Sequence, residues 1–568
     1  MTGNNNEYYD LGSFHRPVKT NSSTAQTWFD RGLAWSYAFN HEEAIRCFET
    51  AIANDPNCAM AYWGVAYAMG PNYNKPWDVF DDDDLSVTLK RARETIAKAK
   101  EVVTIAHGYD GTTEAATVEA KLIDTLRFRY PLTGPGKDFS TWNREYASAM
   151  EGVYRKFGDD LDVATLYAEA LMNLTPWQLW ELRTGQPAPG ARTMEAKRVL
   201  DRALAQSGAY RHPGLLHMYI HLMEMSGAPE SAMPVANHLR GLVPDAGHLN
   251  HMPTHLDILC GDYQRAITSN SDAVSADEKF LAREGPINFY SLYRLHDYHF
   301  LIYAAMFAGQ SKVSLETARR AEATLPEEVL RVESPPMADW LEGFLSVRLH
   351  VLIRFGRWQE IIDLHLPQDQ ELYCTTTAAM HYAKGVAFAA TGKIDEAEEQ
   401  RTHFHNALER VSPTRTLFNN TCLDILNIAG AMLDGELEYR RGNYDVAFEH
   451  LRRSISLDDN LPYDEPWGWM QPTRHAYGAL LLEQGHVEQA AAVYIADLGL
   501  DDTLPRALQH PNNVWALHGY HECLVRLGRA DEITGIQEQL QRAVEVADVP
   551  IVSSCFCRLS AVEECCGK

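Results

Sequence analysis

The sequence predicts an all-α protein, an α-solenoid of helix-turn-helix repeats that is superhelical with a central groove. Three observations support this fold class. Residues 25–56 place small and apolar residues at the spacing of two packed helices joined by a short turn. The same arrangement of two glycines and an alanine returns several times further along the chain. No stretch sustains the apolar and polar alternation that is typical of a half-buried strand.

The first repeat is the clearest one. Trp28 and Gly32 fall on its first helix, Ala44 and Phe48 fall on its second helix, and Pro56 closes the unit. The small residues allow the two helices to approach each other closely. Another first helix follows directly in residues 57–70, so the sequence predicts helical pairs stacked one after the other.

Three later copies share one spacing, in which a turn glycine follows the first-helix glycine by seven residues. These copies contain Gly385, Gly392 and Ala397; Gly435, Gly442 and Ala447; and Gly478, Gly485 and Ala490. Residues 514–533 form a degenerate further copy, and residues 354–364 supply the turn and second helix of another. Repeats are therefore expected over most of residues 25–545.

These repeats resemble the tetratricopeptide repeat (TPR) family. The resemblance implies that first helices line a concave groove. We expect an N-terminal extension (1–24), repeats with a His-rich site (25–330, site 212–299), further repeats (331–545) and a Cys-containing tail (546–568). The chain is also similar to a TPR-like group with H-P-G-x-x-H-x-Y-I-H-x-x-E and H-M-P-x-H segments, which stand here at 212–224 and 251–255.

Histidines concentrate in the segment 212–299, which holds nine of the 23 in the chain. Three consecutive parts of this segment each carry two imidazoles at a spacing that places both on one helix face. The pairs are His217 with His221, His251 with His255, and His296 with His299. When Gly227, Gly261 and Gly309 are set as turn glycines, the TPR resemblance implies that these pairs, and Glu224, project into one groove.

This pattern predicts a metal site. Neutral imidazole is a common ligand for zinc, copper and iron, and two imidazoles one helical turn apart reach the same ion. We expect one or two transition-metal ions (copper, iron or zinc) per chain, bound by the six histidines, with Glu224 as a ligand or general base. A polar, titratable groove for a peptide or a small anion is the alternative interpretation.

Other residues near the cluster are candidates for catalysis or for orienting the imidazoles. Glu169 is either a buried carboxylate that needs a partner or an exposed residue on the outer helix face. His248 is expected in a loop beside the ligands, and Tyr219 and Asp257 are expected to orient imidazoles. The candidate catalytic residues are Glu224, His248 and Glu169.

Local signals predict the surroundings of these residues. Pro253 fits the first turn of a helix that begins near Met252, so His251 would lie at or before its N-cap. His212, which precedes Pro213, is expected to be a hydrogen-bonded core residue rather than a ligand. The acidic run 81–84 is expected at a helix N-terminus, where Asp is favoured.

The composition excludes several classes of function. The formal net charge of -26 argues against binding to nucleic acid or to anionic membranes, which requires a basic surface. No apolar run of about 18 residues predicts a membrane span, and the polar N-terminus lacks the layout of a secretory signal. We therefore expect a cytoplasmic protein with reduced cysteines, apart from an open role for the terminal group Cys555, Cys557, Cys565 and Cys566.

Two functions remain. The first is a metalloenzyme that acts on a small-molecule substrate in the groove, with oxidation by dioxygen slightly favoured over metal-assisted hydrolysis because carboxylates are few. The second is a TPR scaffold that binds a peptide or protein partner. The sequence holds no glycine-rich nucleotide-binding motif and no G-x-S-x-G motif, so nucleotide binding and serine hydrolysis have no support.

Overall fold

The structure is a computed structural model that describes residues 8–107, 117–131 and 138–561. The chain divides into two compact units. Unit 1 comprises Met1–Leu256 and Asp272–Arg294, and unit 2 comprises Asp257–Ser271 and Leu295–Lys568. The domain boundaries that we expect from the sequence stay predictions.

Over its described residues, unit 1 is helical and includes a short antiparallel hairpin. Its helices are α1 Ser23–Tyr37, α2 His41–Asn54, α3 Ala59–Ala68, α4 Asp82–His107, α5 Val118–Arg129, α6 Phe139–Phe157, α7 Leu161–Met172, α8 Thr193–Leu204, α9 Pro213–Glu224, α10 Met233–Leu239 and α11 Gly247–His251. The hairpin pairs β1 Trp180–Glu181 with β2 Gln186–Pro187, and 3-10 turns span Trp77–Val79, Ala209–Arg211 and Pro229–Ala232.

Three further helices contain the boundaries between the units, so each contributes residues to both. They are α12 Pro253–Leu259, α13 Tyr263–Glu284 and α14 Ser291–Phe307.

Unit 2 is helical as well. Its other helices are α15 Ser311–Ala323, α16 Glu327–Leu330, α17 Met337–Leu341, α18 Val347–Arg354, α19 Trp358–Asp363, α20 Cys374–Ala390, α21 Ile394–Leu408, α22 Cys422–Arg440, α23 Tyr444–Asp458, α24 Thr473–Glu483, α25 Val487–Leu498, α26 Val514–Leu527 and α27 Ala530–Val546. Its hairpin pairs β3 Thr416–Leu417 with β4 Asn420–Thr421, and 3-10 turns span Glu342–Ser346 and Arg506–Leu508.

The prediction of an all-α fold made of helical repeats is confirmed. In the first repeat, the ring of Phe48 on α2 packs against glycines of both neighbouring first helices. A Cβ atom added to Gly32 would lie 2.7 Å from this ring, and one added to Gly64 would lie 2.6 Å from it. The glycines therefore leave the space that the phenyl ring fills, as close helix packing requires.

The same packing recurs in unit 2. The ring of Tyr494 on α25 would lie 2.5 Å from a Cβ atom at Gly478 on α24 and 2.3 Å from one at Gly519 on α26. The turn glycines of the three later copies adopt the left-handed conformation that ends a helix. These are Gly392 (φ 77°), Gly442 (φ 82°) and Gly485 (φ 80°).

One of the expected local features needs correction. Gly261 and Gly309 have positive φ, as turn glycines should, but Gly227 does not, because a 3-10 turn at Pro229–Ala232 follows α9 instead of a tight helical turn. The acidic run is a helix N-terminus as predicted, since Asp81 Oδ1 accepts from the backbone N–H groups of Asp83 and Asp84.

Residues near the end of the described chain are buried within unit 2. Tyr494 Oη lies 2.6 Å from Ser554 Oγ, and both side chains are buried. Cys555 and Cys557, whose role the sequence leaves open, form a disulfide. Cys565 and Cys566 lie outside the described residues. Among the described helices, none combines the length and apolar character that crossing a membrane requires.

We predict that Gly32→Ala destabilises the protein by about 1–3 kcal/mol, because the added methyl group collides with the Phe48 ring. Gly152→Ala is the matched control: this glycine is also inside a helix, is exposed, and has nothing within 4 Å of an added Cβ atom. The control should be neutral or stabilise by up to about 1 kcal/mol. Urea unfolding of both variants measures the difference, and equal effects would contradict the packing argument.

Candidate metal centre

The H-P-G motif fixes the start of α9. Pro213 occupies the first helical position, and His212 is the N-cap. His212 Nδ1 accepts a hydrogen bond of 3.0 Å from the backbone N–H of Leu215, and its Nε2 lies 3.1 Å from Asp162 Oδ1. The predicted structural role of His212 is therefore confirmed.

The glycine of the motif brings α9 close to α1. A Cβ atom at Gly214 would lie 2.3 Å from the Tyr37 ring. This approach places the Tyr37 carbonyl oxygen 2.7 Å from His217 Nδ1, which donates to it. The bond fixes the tautomer of His217, so that its buried Nε2 atom carries a lone pair and has no hydrogen-bond partner.

The turn between α1 and α2 covers the imidazoles with an aromatic ring. Phe39 has a φ of 58°, a conformation that is costly for a residue with a side chain. Its ring centroid lies 4.5 Å from His217, 6.0 Å from His221 and 5.5 Å from His248. Sequence reasoning missed Phe39, because its contacts reach across roughly half of unit 1 and leave no local signal.

Glu224 holds two imidazoles from different helices. Its Oε1 accepts from His221 Nδ1 at 2.8 Å, and its Oε2 accepts from His255 Nδ1 at 2.5 Å, with all three side chains fully buried or nearly so. Both carboxylate oxygens thus orient histidines. This is the arrangement in which a carboxylate outside the metal's ligand set fixes the tautomer and direction of the ligands.

His248 lies in a helix and not in the loop that we expect from the sequence, so this prediction is wrong. The reason is a close contact before it: a Cβ atom at Gly247 would lie 1.9 Å from Asp277 Oδ1, so α11 begins directly against α13. The Tyr290 hydroxyl accepts a hydrogen bond of 3.3 Å from the His248 N–H. The His248 side chain is fully buried.

Three histidines thereby form a compact group, which we call the three-histidine cluster: His217, His221 and His248. One ligand nitrogen from each lies within 4.8 Å of those of the other two. The ring centroid of His217 lies 4.8 Å from that of His221 and 4.9 Å from that of His248. Three imidazoles at this separation could hold a metal ion.

His251 and His255 form a second pair. The helix α11 ends at His251, and Pro253 begins α12, as predicted. The Nε2 atoms of the two histidines are 2.6 Å apart. The pair is next to the three-histidine cluster, since the ring centroids of His221 and His255 are 5.7 Å apart.

The remaining predicted ligands, His296 and His299, lie on α14 within unit 2. The ring of His296 contacts Phe418 at a centroid distance of 4.8 Å, and His299 Nε2 lies 2.6 Å from Met470 Sδ. Their participation in the same metal site as the histidines of unit 1 stays a prediction.

Burial sets the protonation state of His217, His221 and His255. It lowers the pKa of His217 and of His255 to about 3. It also lowers the pKa of His221 well below its ordinary value, and the neighbouring histidines add to this shift. These imidazoles are neutral at physiological pH, which is the form that binds a metal ion.

Glu169 on α7 is buried, so the first of its two interpretations is right. Its Oε2 accepts a hydrogen bond from the Tyr67 hydroxyl, while its buried Oε1 has no hydrogen-bond partner. Burial raises the pKa of Glu169, and the charge of Arg129 and the bond from Tyr67 oppose that rise. The prediction that Tyr219 orients an imidazole is wrong, because the hydroxyl of Tyr219 donates to Asp201 at 3.0 Å.

Comparisons with known proteins agree with the helical repeats. Residues 25–58 match the tetratricopeptide repeat family model, which covers the first predicted repeat and continues into the residue before α3. No curated protein sequence matches the chain.

Solved structures of helical repeat proteins are similar over most of the chain, though weakly. A human IFIT1 dimer with m7Gppp-AAAA is 11% identical, covers 94% of this chain and 92% of its own, and has a TM-score of 0.32. Yeast Tom70 is 11% identical, with coverages of 92% and 93% and a TM-score of 0.25. The Cut9–Hcn1 hetero-tetramer of the APC/C is 13% identical, with coverages of 93% and 78% and a TM-score of 0.31. Similarity this weak adds nothing about function.

We predict that Glu224→Gln lowers metal affinity by roughly 10- to 100-fold, because an amide cannot accept from both imidazole N–H groups. One imidazole would change its tautomer or lose its partner, which costs about 1–3 kcal/mol in the buried site. Equilibrium dialysis with Zn²⁺ measures the affinity. Glu181→Gln, at an exposed position of unit 1, is the control, and equal affinities for the two variants would contradict the role assigned to Glu224.

The lowered pKa values predict a pH dependence of the metal-free protein. In the folded protein, each buried imidazole stays neutral at pH values where the same histidine of the unfolded chain, with a pKa of about 6.5, binds a proton. The contribution of these histidines to the free energy of unfolding is therefore fully present above about pH 6.5. For each such histidine, the free energy of unfolding falls by about 1.4 kcal/mol per pH unit as the pH decreases toward the folded-state pKa of about 3.

Urea unfolding between pH 5 and about pH 7 tests this prediction in chelator-treated protein. His217→Asn should reduce the slope by the share of one histidine, whereas His238→Asn, at an exposed position, should leave it unchanged. The same slope for His217→Asn and the unmodified protein would show that His217 does not resist protonation.

Proposed function

We propose that the chain is a metalloenzyme that binds a transition-metal ion through His217, His221 and His248 and acts on a small organic molecule. The observation that carries this proposal is the convergence of three fully buried imidazoles, with one ligand nitrogen each within 4.8 Å of the others. The unpartnered, buried Nε2 of His217 supports it, because a lone pair in the interior needs a partner, and a cation supplies one.

The donor set narrows the choice of metal. Imidazole nitrogens favour copper, iron and zinc over magnesium and calcium, which prefer oxygen ligands. Three protein ligands leave coordination positions for a substrate, as in catalytic rather than structural sites. When bound, such an ion would polarise or oxidise a substrate beside it.

Oxidation with dioxygen is favoured over hydrolysis. A hydrolytic site needs a general base close to the metal-bound water. Glu224, the buried carboxylate beside the cluster, uses both of its oxygens to accept from His221 and His255. Because both oxygens already accept hydrogen bonds from imidazoles, Glu224 does not serve as this general base. This favours copper or iron chemistry over zinc-assisted hydrolysis.

Buried polar atoms elsewhere in unit 1 suit a small polar substrate. Glu169 Oε1 and Asn173 Oδ1 are both buried and without hydrogen-bond partners, and His41 Nε2 is in the same state beside Tyr67, at a ring-centroid distance of 6.3 Å. Unpartnered acceptors in an interior favour a ligand, or ordered water, that donates hydrogen bonds. We assign them to substrate binding.

A scaffold that binds a peptide or protein is the second candidate function. The match of residues 25–58 to the tetratricopeptide repeat favours it, because helical repeats of this kind present extended surfaces for partners. A scaffold needs no metal, so the two functions differ in what metal removal does.

The test is the metal content of the full chain, purified without a histidine tag and assayed by mass spectrometry. We expect near-stoichiometric copper, iron or zinc, lost in His217→Asn and in His248→Asn and retained in His238→Asn. Removal of the metal should also lower the melting temperature, since an ion that binds only the folded state stabilises it. A protein that binds none of these metals when they are offered in excess would contradict the proposal and favour the scaffold.

The metal-loaded protein then separates oxidation from hydrolysis. Dithionite-reduced protein is mixed with dioxygen in a stopped-flow spectrometer. An absorbance change that is lost in His217→Asn supports oxidation, whereas bound zinc and an unchanged spectrum would favour hydrolysis.

A further inference from the structure

The pair of His251 and His255 lies outside the three-histidine cluster and has a geometry of its own. Their Nε2 atoms face each other at 2.6 Å, and the two side chains are 0% and 1% exposed. Two imidazoles that meet nitrogen to nitrogen can share only one proton between them. The same position suits a cation, which accepts a lone pair from each ring.

Hydrogen bonds on the far sides of the rings fix the tautomers. His255 donates from Nδ1 to Glu224, so its Nε2 carries a lone pair. The proton between the rings therefore belongs to Nε2 of His251, and Nδ1 of His251 lies 3.4 Å from Thr254 Oγ1. If that proton moves from Nε2 to Nδ1 of His251, the new Nδ1–H group can donate a hydrogen bond to Thr254 Oγ1. The Nε2 lone pairs of the two rings then face each other, and the pair releases no proton overall.

We infer that a second metal ion binds here, through Nε2 of His251 and Nε2 of His255. A tetrahedral ion with Zn–N bonds of about 2.0–2.1 Å holds two nitrogens about 3.3 Å apart. The pair must therefore open by about 0.7 Å from its separation of 2.6 Å, a change that small rotations of the two side chains provide.

Glu224 connects this second site to the first. Its two oxygens accept from one histidine of each set, His221 and His255. The rings of the two sets are also close, with centroids 5.7 Å apart for His221 and His255 and 5.8 Å apart for His248 and His251. The carboxylate places a negative charge between the two cations, which offsets their mutual repulsion in a buried site.

This inference rests on the proposed function and deepens it, because it turns a centre with one ion into a centre with two. Neighbouring metal ions can bind and polarise one small substrate together. The sequence leaves open whether one metal ion or two bind. The carboxylate shared by the two sets of histidines favours two ions.

The test counts bound Zn²⁺ in the full chain, stripped with a chelator, saturated with zinc and desalted before mass spectrometry. We expect two ions per chain in the unmodified protein and in the control His238→Asn. His255→Asn and His251→Asn should each lose one ion and keep the other, and His217→Asn should lose the other one. The number of zinc ions bound by the unmodified protein tests the inference without any substitution. Circular dichroism checks that each variant is folded.

The outcomes distinguish this inference from the proposed function. A single ion that persists in His255→Asn and is lost in His217→Asn would overturn the second site and leave the metalloenzyme proposal intact. Two ions that both persist in His251→Asn and His255→Asn would overturn the assignment of these residues. An absence of bound zinc would overturn the second site, and it would overturn the metalloenzyme proposal as well if copper and iron, offered in excess, also failed to bind.

Discussion

One buried carboxylate determines the direction of two imidazoles in unit 1, one from each proposed metal site. Glu224 accepts from His221 and from His255, which lie on different helices and are 34 residues apart in the chain. Without this acceptor, the Nδ1 protons of two rings would have no fixed partner, and the tautomers and ring directions would not be defined. The orientation of one candidate ligand in the three-histidine cluster and of one in the second site depends on these two hydrogen bonds.

The rest of the site is a consequence of how closely helices pack in these repeats. Glycines at close contacts allow the Phe48 ring to fit between first helices and allow Tyr37 to reach α9. The second of these contacts brings a backbone carbonyl oxygen to His217 Nδ1. Elsewhere in the chain, packing of this kind only fills space. Here it also positions a polar group, which makes the interior of unit 1 suitable for chemistry.

The helical pairs could be predicted because glycine and alanine recur at fixed spacing, and spacing is visible in one sequence. The pairing of His217 with His221 was predictable for the same reason. His248 was expected in a loop, whereas contact with α13 starts a helix there. The carbonyl oxygen that His217 contacts lies 180 residues away, on Tyr37 at the end of α1, and no local pattern indicates such a contact.

The central claim is that buried imidazoles of α9 and α11 bind a metal ion, and the metal's own ligand environment tests it most directly. X-ray absorption at the metal edge of the loaded full chain should show nitrogen neighbours at about 2.0–2.1 Å and the outer-shell scattering of imidazole rings. Both features should weaken in His248→Asn. A first shell of oxygen or sulfur atoms alone, without imidazole scattering, would contradict the account.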